Sequence, residues 1–248
     1  MNNEIKIEVK NLSIGYKQKA TIHSVFNELN FSFSSGDLVG IIGNNGLGKS
    51  TLIKSLCGLH EILDGSVLIN NKPQQTISAN NLAKELSVVL TEKVYGFNLT
   101  VNDLVSMGRM PYTNLSNSLT ENDLNIVSDC IKLCGIEAEK NKQLQALSDG
   151  LYQKAMIAMS LARETPIMLF DEPTAFLDYT SKHHIFSLLS QLVNEKNKCV
   201  IISSHDIDLL LKYCNKILFM QPNNVYEVIL TENYKTEDLF EKVTGLKR

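Results

Sequence analysis

Apolar positions fall two apart near the start of the chain and then, from residue 38, in short unbroken runs. Ile5 to Val9, and a second segment around Phe26 to Phe33, alternate apolar and polar residues, which predicts antiparallel strands with one buried face. Leu38 to Ile42, Ser87 to Leu90, Ile167 to Phe170, Val200 to Ser203 and Ile217 to Met220 are instead continuous and rich in β-branched residues. Such runs suit strands covered on both faces, and helical spacing separates them, so the pattern predicts an α/β domain with a largely parallel sheet. Between about Glu92 and Gly150 the pattern turns helical. Thr100 is placed to cap one helix, and Thr120 with Asp123 makes a capping-box-like start for the next. The expected organisation is one domain over 1–248. Its core comprises 1–91, with an N-terminal antiparallel β subdomain, and 151–248; a helical subdomain occupies 92–150.

Composition narrows the setting. At 248 residues and 44% hydrophobic content the chain can bury a substantial core. No apolar run approaches the roughly 18 to 20 residues that span a bilayer, and the polar start MNNEIKIEVK is not a secretory signal. The expectation is a cytosolic chain with no direct membrane insertion. A net charge of −3 argues against broad binding to nucleic acid or anionic lipid, so any membrane role calls for a protein partner. Cys57, Cys130, Cys134, Cys199 and Cys214 are odd in number and scattered, which predicts reduced thiols. Cys130 and Cys134 can share a helix face, but no further ligand lies nearby, and burial explains them better than a metal.

The chemistry is announced between the first continuous run and the helix after it. Gly43, Asn44, Asn45, Gly46, Leu47, Gly48, Lys49, Ser50 and Thr51 read GNNGLGKST, a P-loop spacing. Its glycines permit positive φ and close backbone approach, so successive N–H groups can turn around an anion at the helix start. Lys49 is placed to reach the outer phosphates and the Ser50 hydroxyl to bind Mg²⁺. The loop is therefore expected to hold a nucleoside triphosphate. A P-loop alone fits kinases, GTPases and many ATPases, so the decision lies downstream. LSDG at Leu147 to Gly150 opens a predicted helix; IMLFDEPTAFLD at Ile167 to Asp178 puts Asp171 and Glu172 at a strand exit; SSHD at Ser203 to Asp206 puts His205 at the exit of the next.

In that order these stretches resemble the ATP-binding cassette (ABC) family over nearly the whole chain. The resemblance implies ATP and Mg²⁺ as cofactors. It implies Mg²⁺ on Ser50 and Asp171, a general base at Glu172 that polarises the attacking water, and a γ-phosphate contact from His205. Tyr16, in SIGYKQK, resembles the aromatic that stacks on adenine. The family's signature serves the ATP of a second cassette, so Ser148, Gly150 and the D-loop-like Asp178 imply a head-to-tail dimer of this chain with itself. Two departures stand out. Asp149 replaces a signature glycine, so its carboxylate has to point away from the triphosphate, and Leu151 replaces the glutamine. Glu92 stands where many members carry a Mg²⁺-sensing glutamine, with Thr91 as the neighbouring alternative.

Leu99 to Leu115, LTVNDLVSMGRMPYTNL, resembles the matching segment of importers for iron-siderophore, haem and cobalamin substrates. That likeness implies a polytopic permease above the dimer, contacted near Met107 to Tyr112, and a separate substrate-binding protein. It also implies a peripheral place at the cytoplasmic face of the membrane. Two other functions share this text: an exporter ATPase with a separate membrane subunit, and a soluble ABC protein of translation or DNA repair. The latter generally carry two cassettes or a long coiled-coil insertion, and neither is present.

Overall fold

A computed structural model describes residues 4–18, 21–92, 98–113 and 118–244. In chain order its strands are β1 (Ile5–Gln18), β2 (Thr21–Ser34), β3 (Leu38–Ile42), β4 (Asp64–Ile69), β5 (Lys72–Pro73), β6 (Leu86–Val89), β7 (Ile167–Asp171), β8 (Cys199–Ser203), β9 (Lys216–Gln221) and β10 (Val225–Leu230). Its helices are α1 (Lys49–Leu56), α2 (Ala79–Glu85), α3 (Val101–Met107), α4 (Glu121–Leu133), α5 (Asp149–Ala162), α6 (Tyr179–Lys196), α7 (Ile207–Tyr213) and α8 (Thr236–Thr244). One sheet, ordered β2-β1-β4-β5, is antiparallel. The other runs β10-β9-β3-β8-β7-β6 and is parallel except for the edge strand β10.

The parallel strands explain their own sequences. Every residue of β3, β7 and β8 is buried. Along β7, Ile167 and Leu169 face a core shared with the antiparallel sheet and α1, whereas Met168 and Phe170 face the core shared with α5 and α6. A strand buried on both sides has no polar face to alternate with, hence the unbroken runs. Removing each such side chain from water contributes roughly 1.5–3 kcal/mol.

The first hairpin is longer than its alternation predicted. β1 continues past Val9 to Gln18, and β2 begins before Phe26, at Thr21. Register shifts between Val9 and Leu12, between Leu12 and Ile14, and between Ile14 and Gly15 explain the difference. Each irregularity resets which face a residue meets, so Leu12 and Ile14 are buried without keeping the period of two.

Both predicted helix caps are present. Thr100 Oγ1 accepts from the Asp103 N–H at 3.1 Å while Asp103 Oδ2 accepts from the Thr100 N–H at 2.9 Å, and Thr120 and Asp123 repeat the arrangement at the start of α4. α3 and α4 pack against α5. The last two residues of the stretch from Leu99 to Leu115 lie outside the described residues. All five cysteines are buried and free.

Candidate functional site

β3 ends at Ile42, the loop 43–48 follows, and α1 begins at Lys49. Gly46 has φ of +80° with open space where a Cβ would be, so only its backbone conformation requires glycine. Gly48 adds a steric reason: at φ of +91°, its Cβ would lie 2.3 Å from Val25 Cγ1. Lys49 is buried, and its Nζ donates to the carbonyl oxygens of Gly43 at 2.8 Å and Asn44 at 3.3 Å. Burial lowers its pKa while the charges of Glu172 and Asp171 raise it. The ammonium is thus held over the loop's own carbonyls, within the field of two carboxylates. Asn45, Leu47 and the exposed Ser50 complete the turn into α1.

Those carboxylates come from β7. Asp171 is its last residue and pairs in register with Ser203 at the end of β8. Ser203 Oγ donates to Asp171 Oδ1 at 2.8 Å and accepts the Glu172 N–H at 2.8 Å, so one hydroxyl orients both acidic residues. Thr91 Oγ1 donates to the Asp171 carbonyl at 3.0 Å. Glu172 adopts φ of +49°, a left-handed conformation that costs a non-glycine residue on the order of 1 kcal/mol or more. Its Oε1 is buried and has no hydrogen bond, although His205 Nε2 lies 2.9 Å away. Burial raises the Glu172 pKa, against the pull of Lys49. Burial, reinforced by Lys49 and opposed by Asp171, lowers that of His205.

Two further residues border this centre. Tyr16 Oη and Thr51 Oγ1 are 2.9 Å apart, and the half-exposed Tyr16 ring meets His60 edge-on at 4.9 Å. His60 Nε2 in turn donates to the Gly15 carbonyl at 2.7 Å, which steadies the strand end that carries Tyr16. Glu92 Oε1 accepts from Lys54 Nζ at 2.7 Å, with most of the Glu92 side chain exposed. Asp171 also contributes to the raised pKa of Lys54, after Glu92.

The remaining predicted residues gather elsewhere. Ser148 caps α5, its Oγ accepting from the Leu151 N–H at 3.3 Å. Asp178 caps α6 through the Ser181 N–H at 2.8 Å. A Cβ on Gly150 would lie 2.9 Å from the Phe176 carbonyl oxygen, so glycine is what lets the start of α5 press against the segment before Asp178. Ser148, Gly150 and Asp178 line one depression of about 400 Å³, to which no residue of 43–51 contributes. Asp149 occupies the first turn of α5, where the helix dipole favours a carboxylate, and is exposed.

The structure therefore forms one centre from Lys49, Asp171, Glu172 and His205, and a second surface from Ser148, Gly150 and Asp178. Sequence reasoning overlooked Ser203, His60 and Lys54. The signal for Ser203 was present in SSHD, two residues before the histidine. The other two depend on contacts across the fold.

A triphosphate with a divalent cation fits the first centre. The buried Glu172 Oε1 makes no hydrogen bond and has His205 Nε2 2.9 Å away, so it can accept from a water, and Lys49 can exchange two carbonyls for more strongly accepting phosphate oxygens. The described residues contain no group of three or more His, Cys, Asp or Glu side chains able to hold a metal. A cation bound by Ser50 and Asp171 thus needs phosphate and water oxygens to complete its shell.

A family model described as "ABC transporter" matches residues 26–175. An uncharacterized ABC transporter ATP-binding protein of Methanocaldococcus jannaschii is 36% identical, covering 97% of this chain and 82% of its own. A probable siderophore transport system ATP-binding protein of Bacillus subtilis is 33% identical, covering 97% and 86%. Among solved structures, a dimeric ATP-binding cassette in a post-hydrolysis state, bound to ADP and phosphate, superposes with a TM-score of 0.81 at 25% identity, covering 91% of this chain and 98% of that one.

Proposed function

The chain belongs to the ABC transporter family, and on that footing we propose that it is the ATP-hydrolysing subunit of an importer for iron-siderophore, haem or cobalamin-type chelates. The observation that carries the catalytic part is the buried Glu172 carboxylate, with His205 Nε2 2.9 Å from its Oε1 and Lys49 in its field. Glu172 acts as general base: its carboxylate takes a proton from water as the water oxygen bonds to the γ-phosphorus and the bridging bond breaks, releasing ADP and phosphate. The loop amides of Gly43 to Gly48 and the Lys49 ammonium bind the phosphates. Ser50 and Asp171 hold Mg²⁺, with Glu92 nearby as a third oxygen donor. The metal supplies charge neutralisation on the phosphate oxygens. His205 donates to the γ-phosphate, and Tyr16 stacks on the adenine.

Ser148, Gly150 and Asp178 serve the nucleotide of a second copy, so two chains meet head to tail with two ATP molecules between them. We read 92–150 as the helical subdomain, which meets a polytopic permease near Met107 to Tyr112. A separate binding protein delivers the chelate. No helix of the described residues is long and apolar enough to cross a membrane, and the proposed location is peripheral, on the cytoplasmic face beneath the permease. The siderophore transport protein of Bacillus subtilis supports the siderophore reading, and similarity at 28% identity to an iron(3+)-hydroxamate import ATP-binding protein of Bacillus subtilis and a cobalamin import ATP-binding protein of Halobacterium salinarum supports import.

Cells lacking the gene should lose uptake of a radiolabelled ferric siderophore, haem or cobalamin. The parent gene should restore it and Glu172→Gln should not. Normal uptake of all three classes in the deletion strain would remove the substrate assignment.

A further inference from the structure

The depression of about 400 Å³ at the start of α5 carries an unbalanced set of charges. Asp149 and Asp178 line it with carboxylates, and Lys154 lines it with an ammonium. Lys154 follows Gly150 by four positions, so it stands one turn further along the same face of α5, half-buried.

That ammonium has no carboxylate of its own. Both Asp178 oxygens are held by Ser181, Oδ1 accepting from the N–H at 2.8 Å and Oδ2 from Oγ at 3.1 Å. Among the described residues Lys154 forms no ion pair. Its charge nevertheless reaches across the depression: the Ser181 hydrogen bonds lower the Asp178 pKa, and Lys154 lowers it further. Under the proposed function the γ-phosphate of a second copy's ATP arrives here, and it stays negative with Mg²⁺ bound. Without Lys154 it would meet two carboxylates and no cation among the lining residues, and like charges brought together across an interface repel.

We propose that Lys154 is the countercharge that admits the second copy's triphosphate to this depression, offsetting Asp149 and Asp178 as the two chains close. The proposal rests on the head-to-tail dimer and names the residue that makes its acidic surface acceptable to a nucleotide. Lys154 acts on closure alone. No residue of 43–51 lines the depression, so binding of ATP by the chain's own loop does not depend on it.

The test measures dimerisation with Mg·ATP by light scattering, with Glu172→Gln present throughout to block turnover. Lys154→Gln should dimerise at least about tenfold less well, whereas Lys154→Arg should retain most of the dimer. The deficit should shrink as salt rises from about 0.1 M to 1 M, where the screening length falls from roughly 10 Å to 3 Å. Adding Asp149→Asn to Lys154→Gln should recover most of the dimer, because it removes a carboxylate that Lys154 offsets. A side chain that only packs would show neither response. Fluorescent-nucleotide binding by dilute, monomeric Lys154→Gln should match the parent. Undiminished dimerisation of Lys154→Gln, a deficit that neither salt nor Asp149→Asn reduces, or lost nucleotide binding would each overturn the proposal and leave the dimer standing. Failure of the chain carrying Glu172→Gln alone to dimerise would overturn both.

Discussion

Glu92 carries a charge where an amide could supply the same oxygen, and Lys54 stands 2.7 Å away to balance it. Most of the Glu92 side chain is exposed, so the pair contributes at most about 1 kcal/mol to stability. An interaction that weak can yield to Mg²⁺, which makes Lys54 a competitor for the carboxylate. Glu92→Gln should weaken Mg²⁺ dependence modestly and keep turnover within about tenfold, Glu92→Ala should be worse, and Lys54→Met should lower the Mg²⁺ needed for half-maximal activity. Mg²⁺ titrations of hydrolysis and of fluorescent-nucleotide binding decide it. An unchanged response in all three variants would make the pair a surface contact only. Motif order suggested Glu92, with Thr91 as its neighbour, but gave no sign of Lys54. It lies 38 residues earlier on α1 and comes within reach only once α1 packs against the sheet at β7. Ser203 stood in view within SSHD, but its role did not, since its two hydrogen bonds exist because β7 and β8 pair in register.

Asp123 shows how much one position can carry within an element. It closes the capping box at the start of α4 and also accepts from Arg109. Hydrogen bonds from Thr120, followed by that from Arg109, hold its carboxyl at about 2. A depressed carboxylate pKa contributes stability that is complete above the unfolded value, near 4, and lost as pH falls through the folded value near 2. Asp123→Asn should therefore lower Tm at neutral pH, and the gap to the parent should narrow between about pH 4 and 2. A gap independent of pH across that range would remove the ionised carboxylate as its source. The cap itself could be read from the sequence because Thr120 and Asp123 are three residues apart. Arg109 could not, since it reaches α4 from outside the helix. The hairpin teaches the same lesson in another form: β1 and β2 outran their alternating segments because register irregularities break the period that makes a strand visible.

At the scale of the molecule, Ser148, Gly150 and Asp178 lie apart from the ATP-binding loop, and the proposed function completes each group with the other from a second copy. Gly150→Ala places a methyl 2.9 Å from the Phe176 carbonyl oxygen, outside the ATP-binding loop but inside the proposed interface. Combined with Glu172→Gln, which blocks turnover, it should bind Mg·ATP as the single variant does yet dimerise at least about tenfold less well. Light scattering with nucleotide measures this, and equal dimerisation would take the start of α5 out of the contact. The central sheet, the P-loop and the acidic strand end were all evident from short local patterns. The separation of the two surfaces was expected from the family resemblance, and its physical basis is the close approach of Gly150, at the start of α5, to the Phe176 carbonyl before α6. That packing also gives α5 a mechanical character. It is a hydrogen-bonded rod of 14 residues, about 21 Å long, with Ser148 at its tip and the Ala162 carbonyl at its heel gripped by Arg109. A helix this short tilts more readily than it bends. A displacement imposed at either end would therefore turn the helix as a unit about the Arg109 contact, moving Ser148 and Ala162 together.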